Sequence, residues 1–353
     1  MELKLIPIIL AGGKGERFWP VSRRRRPKQF LCLDGSGKSL LQSTAERLLD
    51  LAGGWDNLWV ITSEIIAEGV EKQLPNLSKS NILVEPQGRD TAPAIAWATL
   101  EVAKKYGEDA VLGFFPADHW IGDVAAYHKT LQAAVQQALA KPSIVTLGIT
   151  PNQPATGYGY IEQGEKQGEI NQLPVYQVIR FTEKPDEATA QSFIETGNFS
   201  WNSGMFIFQA KVMLDELAKY APELLNALST KGRDAYGELA KESIDYALME
   251  KTQLAYVLPA DFGWDDLGDW NGVERLLKGE QDNVELGTHI SKNTQDAVIY
   301  ASDDDEVIVT IGLKDVVIVR DGKVTLVVDK NQTQDIKEIV KSLYDNPELR
   351  HLL

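Results

Sequence analysis

Five short apolar runs mark the first half of the chain, at Ile6–Leu10, Leu58–Thr62, Ile82–Val84, Val111–Phe115 and Ile144–Leu147. Between them, Leu40–Leu51, Ala94–Tyr106 and Tyr127–Leu139 carry apolar residues at helical spacing, the first two with Ser39 and Pro93 in cap or first-turn positions. Strands that run the same way cannot be joined by tight turns; each needs a crossover long enough to hold a helix. The alternation therefore predicts a Rossmann-like α/β fold, a mixed and mostly parallel sheet flanked by helices.

After Pro151 the pattern loosens into Gly- and Gln-rich stretches. Strands are predicted at Val175–Phe181, Met205–Phe208 and Leu254–Leu258, and helices near Glu187–Glu195, Val212–Tyr220 and Tyr236–Glu250, as the acceptor-binding half of the same domain. From about Asn293 the texture changes: valine-rich runs at Ala297–Tyr300, Val307–Ile311, Val316–Val319 and Val324–Val328 follow one another across short polar turns. They predict a small β unit closed by a helix over Thr333–Tyr344. The chain is thus expected to divide into a catalytic domain, 1–275, and a small β-rich C-terminal domain, 276–353.

Composition narrows the function. Of 353 residues, 43% are hydrophobic, enough for a large core and an appended unit. The net charge is -15 and no basic tail or basic helix offsets it, which argues against nucleic acid or an anionic membrane as partner. Cys32, the single cysteine, excludes an internal disulfide and a thiolate zinc cluster and reads as a small buried hydrophobe in a reducing compartment. Leu5–Leu10 is too short for a signal-peptide core, and no later run approaches the ~20 apolar residues of a membrane span, so a cytoplasmic location is expected.

The first apolar run passes into Ala11-Gly12-Gly13-Lys14-Gly15-Glu16-Arg17, followed by Trp19-Pro20 and a basic stretch ending in Pro27-Lys28. The glycines let backbone N–H groups come close to phosphate oxygens, and Arg17 and Lys28 add fixed positive charge. This is not the dinucleotide fingerprint, which requires a glycine where Phe18 stands. Gly35-Ser36-Gly37-Lys38-Ser39 ends like a P-loop, but that motif needs a glycine at Cys32 and a strand leading into it, and Ser39 reads instead as a helix cap. The run Arg23–Arg26, beside the glycine loop, is expected to favour a polyanionic ligand such as a triphosphate.

Carboxylates are the other half of the pattern. Asp118, in Phe115-Pro116-Ala117-Asp118-His119, stands at the carboxyl edge of the predicted sheet, where ligands of such folds bind and a hard oxygen suits Mg²⁺. Phe262–Trp270 forms a second acidic cluster, and if Asp266 joined Asp118 around one ion the metal would bridge reacting phosphates. Glu85, at the end of the run Ile82–Val84, could accept two hydrogen bonds from guanine's N1–H and exocyclic amine, a pair of donors that adenine and the pyrimidines lack.

These blocks, AGGKGERFWPVSRRRRPKQF, EPQGRDTAPAIA, FPADHWI, GYGYIE, FTEKP, WNSGMFIF and FGWDDLGDW, stand in the same order along nearly the whole chain as in one family. The sequence resembles the mannose-1-phosphate guanylyltransferases, the GDP-mannose pyrophosphorylases of the sugar nucleotidyltransferase superfamily. The resemblance implies the nucleotide-diphospho-sugar transferase fold with a short left-handed β-helix after it. It implies that Ala11, Gly12, Gly13, Gly15, Arg17 and Arg89 hold the nucleotide, that Lys28 neutralises the leaving diphosphate, and that Asp118 and Asp266 bind Mg²⁺. By the same resemblance Glu183, Asn202 and Gly157 face the sugar and Lys184 takes the sugar phosphate. An ammonium suits a phosphate, and a carboxylate with an amide suits vicinal hydroxyls.

The implied substrates are GTP and mannose 1-phosphate, the products GDP-mannose and diphosphate, and the assembly a homodimer. Two positions depart from the family's usual pattern, with Asp90 in place of asparagine and Asp265 in place of serine. Extra carboxylates there would tighten metal binding or weaken phosphate binding. Some relatives continue into a cupin domain with phosphomannose isomerase activity; no room is left for one here, and a single activity is expected. The alternatives are the same chemistry on another sugar 1-phosphate or nucleotide, and a non-catalytic nucleotide-sugar-binding regulator.

Overall fold

A computed structural model describes residues 4–353. The chain begins β1 (Leu5–Ala11), α1 (Leu40–Ala52), β2 (Trp59–Ser63), α2 (Ala67–Gln73), β3 (Ile82–Glu85), α3 (Thr91–Tyr106), β4 (Val111–Pro116), β5 (Trp120–Ile121), α4 (Val124–Ala140) and β6 (Ile144–Ile149). It continues β7 (Gly159–Ile170), β8 (Leu173–Glu183), α5 (Glu187–Thr196), β9 (Phe199–Gln209), α6 (Ala210–Tyr220), α7 (Pro222–Lys231), β10 (Ala255–Ala260), β11 (Trp264–Asp265) and α8 (Trp270–Leu277). Nine of these strands form one sheet in the order β3-β2-β1-β4-β9-β6-β10-β8-β7. β3, β2, β1 and β4 run parallel, as do β6 and β10, while β9 is inserted antiparallel between β4 and β6. The predicted mixed, mostly parallel sheet is therefore present.

Both faces of the sheet are covered, as the near-continuous apolar runs require. Successive residues of β1 alternate between two cores: Leu5 and Ile9 join Leu41, Leu48 and Tyr127 on one face, and Ile6 and Ile8 join Ile95, Val102 and Met213 on the other. Ser39 caps α1 through a capping box with Gln42, which is the role expected of it in place of a P-loop.

The C-terminal unit consists of β12 (Val284–Leu286), β13 (Thr288–Lys292), β14 (Val298–Ala301), β15 (Val307–Ile311), β16 (Val316–Asp321), β17 (Val324–Asp329) and α9 (Ile336–Asp345). β12, β14 and β16 stack in parallel, β13 and β15 do the same in a second short sheet, and β17 turns back against β16. Parallel strands joined by short turns rather than crossover helices make a β-helix-like coil. Its interior runs into the catalytic domain, since Val284, Val298 and Val317 share one buried cluster with Phe18, Leu31 and Trp270. The Trp270 ring, fully buried, packs against Phe18 on one side and Tyr300 on the other, with centroids 5.1 and 5.4 Å away.

Two expectations need correction. The helix over Tyr236–Glu250 is instead a 3₁₀ turn at Gly232–Gly237 and a single π-helical turn at Asp245–Met249. The residues between spend their backbone groups on the start of α3 and the residue Arg89 before it: Glu242 N–H donates to the Arg89 carbonyl, its carbonyl accepts from Ala92 N–H, and Ile244 N–H donates to Thr91 Oγ1. A helix cannot continue through groups already committed elsewhere. The arginines Arg23–Arg26 do not gather as a phosphate site either. Arg23 pairs with Asp321 at 2.7 Å and donates to the Leu352 carbonyl, Arg26 also approaches Asp321, and Arg24 and Arg25 are exposed, so the run ties the glycine-loop segment to the C-terminal unit.

Candidate active site

Strands that run parallel end at one edge of a sheet, and the residues that follow them are delivered there. β1 delivers Ala11, Gly12 and Gly13; β3 ends on Glu85; β4 delivers Asp118 and His119; and β10 leads to Trp264, Asp265 and Asp266. β7 adds the remainder through its pairing register, in which Gly159 stands opposite Glu183 and Tyr160 opposite Trp201, next to Asn202.

Lys28 holds these parts together. It lies on a short 3₁₀ turn, is nearly buried, and its ammonium forms an ion pair with Asp118 at 2.8 Å while donating to the Asp266 carbonyl at 2.5 Å. Gly15 lies against its stem: the backbone there has φ +62°, and a Cβ would stand 2.3 Å from Lys28 Cβ, so this position of the loop admits only glycine. Gln29 donates to the carbonyls of Ala11 and Gly13 from behind, and Ser22 to that of Gly15. Burial works to raise the pKa of Asp118, but Lys28 and His119 outweigh it and hold the carboxyl below its ordinary value.

Two cavities meet at this edge, with His119 and Asp266 in the wall of both. The larger, about 610 Å³, is lined by Ala11, Gly12, Gly13 and Glu85 at one end and by Gly157, Glu183, Lys184 and Asn202 at the other. The smaller, about 280 Å³, is lined by Gly15, Arg17, Lys28, Asp118 and Asp266. The residues singled out in the sequence thus fall into two groups, one around the larger chamber and one around the smaller, where Arg17 and Lys28 stand beside carboxylates. Arg89 lines neither; its guanidinium is turned away and donates to the carbonyls of Tyr236 and Gly237.

Glu85 is 5% exposed, and its Oε1 has no hydrogen-bond partner. The Tyr236 hydroxyl lies beside it without closing a well-aligned hydrogen bond and is itself unpartnered. Burial, with a smaller push from Asp90, raises the Glu85 carboxyl to about 7. A buried acceptor left unmatched at the wall of a cavity is costly to the free protein and is relieved by a ligand that donates to it.

At the other end of the larger chamber, Asn202 donates from Nδ2 to Asp245 at 2.9 Å, and a Cβ on Gly159 would come within 2.6 Å of Glu183 Oε2. Lys184 pairs with its neighbour Glu183 at 2.8 Å and has a backbone φ of +46°, a strained conformation for a non-glycine residue. Burial and then the Glu183 charge raise Asp245 to about 6. Asp245 also lines the large chamber, yet in the sequence it lies within a segment expected to be an ordinary helix; only its place on a π-turn, a common mark of functional sites, sets it apart.

His119 and Tyr158 are the other residues that sequence reasoning passed over. Burial lowers the His119 imidazole to about 4 against the raising pull of Asp118 and Asp266, and its Nδ1 accepts from Trp264 Nε1. Tyr158 donates its hydroxyl to Asp266 Oδ1 at 2.9 Å, orienting that carboxylate together with the Gly268 N–H. The two unusual carboxylates are both engaged. Asp265 is held by Arg275 in a two-point pair at 2.9 and 3.1 Å, and Asp90 caps α3 by accepting from Thr91 N–H.

Asp118 and Asp266 suit a hard cation. Among the described residues no three His, Cys, Asp or Glu side chains converge on a metal position. An ion there would take its remaining ligands from phosphate oxygens and water, which is how Mg²⁺ is commonly held.

Comparison with known proteins agrees with this architecture. Residues 6–282 match the nucleotidyl transferase family, and residues 287–343 match the MannoseP isomerase/GMP-like beta-helix domain. A mannose-1-phosphate guanylyltransferase of Klebsiella pneumoniae is 40% identical over 97% of this chain and 74% of its own length. One of Escherichia coli K12 is 38% identical over the same shares. The solved structure of a protein described as mannose-1-phosphate geranyltransferase, from Thermus thermophilus, superposes with a TM-score of 0.86 at 34% identity, covering 97% of this chain and 99% of that one.

The Glu85 environment gives a signed pH dependence. Its folded pKa, about 7, lies above the ordinary 4.5, so the stability linked to its proton is fully present below pH 4.5 and is lost as pH rises through about 7. Glu85→Gln cannot lose that proton, and its stability relative to the wild type is expected to grow between those limits by up to about 3 kcal/mol. Urea denaturation of both proteins without ligand at pH 4.5 and 8 measures this, and a difference that does not change with pH would contradict it.

Proposed function

The chain belongs to the nucleotidyl transferase family, and we propose that within it the chain is a mannose-1-phosphate guanylyltransferase, converting GTP and α-D-mannose 1-phosphate to GDP-mannose and diphosphate. A phosphate oxygen of the sugar attacks the α-phosphorus in line, the bond from that phosphorus to the bridging oxygen breaks, and diphosphate leaves with the electron pair. Positioning and charge neutralisation supply the catalysis, and no protein nucleophile is required.

The observation that most supports this reading is the junction of the two chambers at Asp266, with the carboxylates and amide suited to a base and a sugar on one side and Arg17 and Lys28, suited to the leaving group, on the other. Glu85 receives N1–H and the exocyclic amine of guanine. Glu183 and Asn202 hold sugar hydroxyls, with Asp245 fixing the Asn202 amide through its 2.9 Å hydrogen bond. Lys184 turns from Glu183 to steer the sugar phosphate, and Lys28 and Arg17 receive the charge that builds on the diphosphate. Mg²⁺, held by Asp118 and Asp266, supplies further neutralisation of phosphate charge when bound.

Diphosphate release tests the reading directly. GTP with mannose 1-phosphate is expected to exceed ATP with mannose 1-phosphate, and GTP with glucose 1-phosphate, by at least about tenfold in kcat/KM. Equal rates across the array would point to an unselective nucleotidyltransferase, and no release with any pair would leave a binding protein.

We also propose a homodimer, on the strength of an apolar face on the C-terminal coil. Ile290, Val307, Val309 and Ile311 of β13 and β15 are all more than half exposed; the three from β15 are alternate residues on one face, and Ile290 stands opposite Val309. Sedimentation velocity is expected to give twice the chain mass for the wild type and the chain mass for Ile311→Asp; a monomeric wild type would exclude the dimer.

A further inference from the structure

The small cavity has a wall that does not come from the catalytic domain. α9 of the C-terminal unit starts beside it, and Lys337 in its first turn lines the cavity with Arg17 and Lys28. The helix is fixed from two sides. Ile336, Val340 and Leu343 are buried in the cluster that contains Phe18, in the turn carrying Arg17. The residues just before it are held by Asp269, whose Oδ2 accepts from Thr333 Oγ1 at 2.8 Å and from Gln334 Nε2 at 2.6 Å. Asp269 also caps α8, directly after the loop bearing Asp266. Lys337 is therefore positioned by both the glycine loop and the acidic loop.

The charges around this cavity are unevenly matched. Lys28 has Asp118, Glu16 faces Lys14 at 3.6 Å, and Asp266 is occupied by Tyr158 and the Gly268 N–H. Arg17 and Lys337 have no carboxylate partner among the described residues; the Arg17 Nε is buried without an acceptor, and its other contact is a long 3.5 Å approach to the Gly268 carbonyl. Burial, Arg17 and Lys184 all lower the pKa of Lys337, with Glu16 opposing. Cations that face one another across a cavity raise each other's energy; Glu16 offsets this only in part at Lys337, and an anion placed between the two cations relieves it.

We propose that the C-terminal unit supplies Lys337 as a ligand for the diphosphate, so that the leaving-group chamber is complete only with the β-helix unit docked. This rests on the reaction proposed above. The unit is then a part of the active site, in addition to covering the apolar side of the glycine-loop segment.

The reverse reaction isolates the effect, because diphosphate is then a substrate with its own KM. With the full chain and Mg²⁺, Lys337→Ala is expected to raise the KM for diphosphate by about tenfold or more while leaving that for GDP-mannose within about twofold. Lys337→Arg should restore most of the loss, Lys341→Ala, one turn further along the same helix face and outside the cavity wall, should have no effect, and all three should melt with the wild type. An unchanged diphosphate KM in Lys337→Ala, or the same loss in Lys341→Ala, would overturn the assignment of Lys337 alone. A wild type that makes no GTP from GDP-mannose and diphosphate would overturn the reaction and, with it, the role of Lys337.

Discussion

The buried ammonium of Lys28 is the contact on which the site depends. One side chain reaches the carboxylate that follows β4 and the backbone carbonyl of the loop that follows β10, and its stem occupies the space where a side chain at Gly15 would stand. Three loops distant in sequence are thereby fixed to one another. A charge so deeply buried is stable only while its partners stay in place, and removing either one leaves an uncompensated ion in the interior. The glycine at position 15, the acidic residue at 118 and the lysine at 28 are consequently one device. The same ammonium that orders the loops faces the chamber where diphosphate charge would build up, so no reorganisation is needed when that charge appears.

A second constraint is that the glycine-loop segment is packed between the catalytic domain and the C-terminal unit. Phe18, Trp19, Val21, Leu31 and Leu33 carry their apolar surface into a cluster completed by Trp270 and by valines of the β-helix coil. Arg23 and Arg26, for which a phosphate role was expected, tie the same segment to Asp321. The coil therefore helps define the shape of the smaller chamber whether or not any of its side chains touches a ligand.

The sheet was legible in the sequence because its signal is local. The apolar runs and helical spacings around Ile6–Leu10, Val111–Phe115 and Leu40–Leu51 fall where the elements form, and ligands gather at the edge that such a sheet dictates. What escaped depends on distant partners. β7 carries a glycine-rich, polar sequence and is a strand because β8 and β9 pair with it. The Tyr236–Glu250 segment has a helical pattern, but Arg89 and the first turn of α3 claim its backbone groups, and that competition leaves no mark on periodicity. Asp245, His119 and Tyr158 are ordinary residues in sequence that acquire a role through what the fold sets beside them. Asp265 gave an over-reading of the opposite kind, since a carboxylate counted as extra acidity at the site is neutralised by Arg275.

In the proposed reaction the protein is a scaffold of fixed charges around two substrates, with no covalent step of its own. The stereochemistry at the reacting phosphorus tests this most directly. Turnover of one diastereomer of GTP bearing sulfur on the α-phosphorus, with the configuration of the sulfur-bearing GDP-mannose read by ³¹P NMR, separates one displacement from two. A single in-line attack predicts inversion, and retention would contradict the account by requiring a guanylylated protein intermediate.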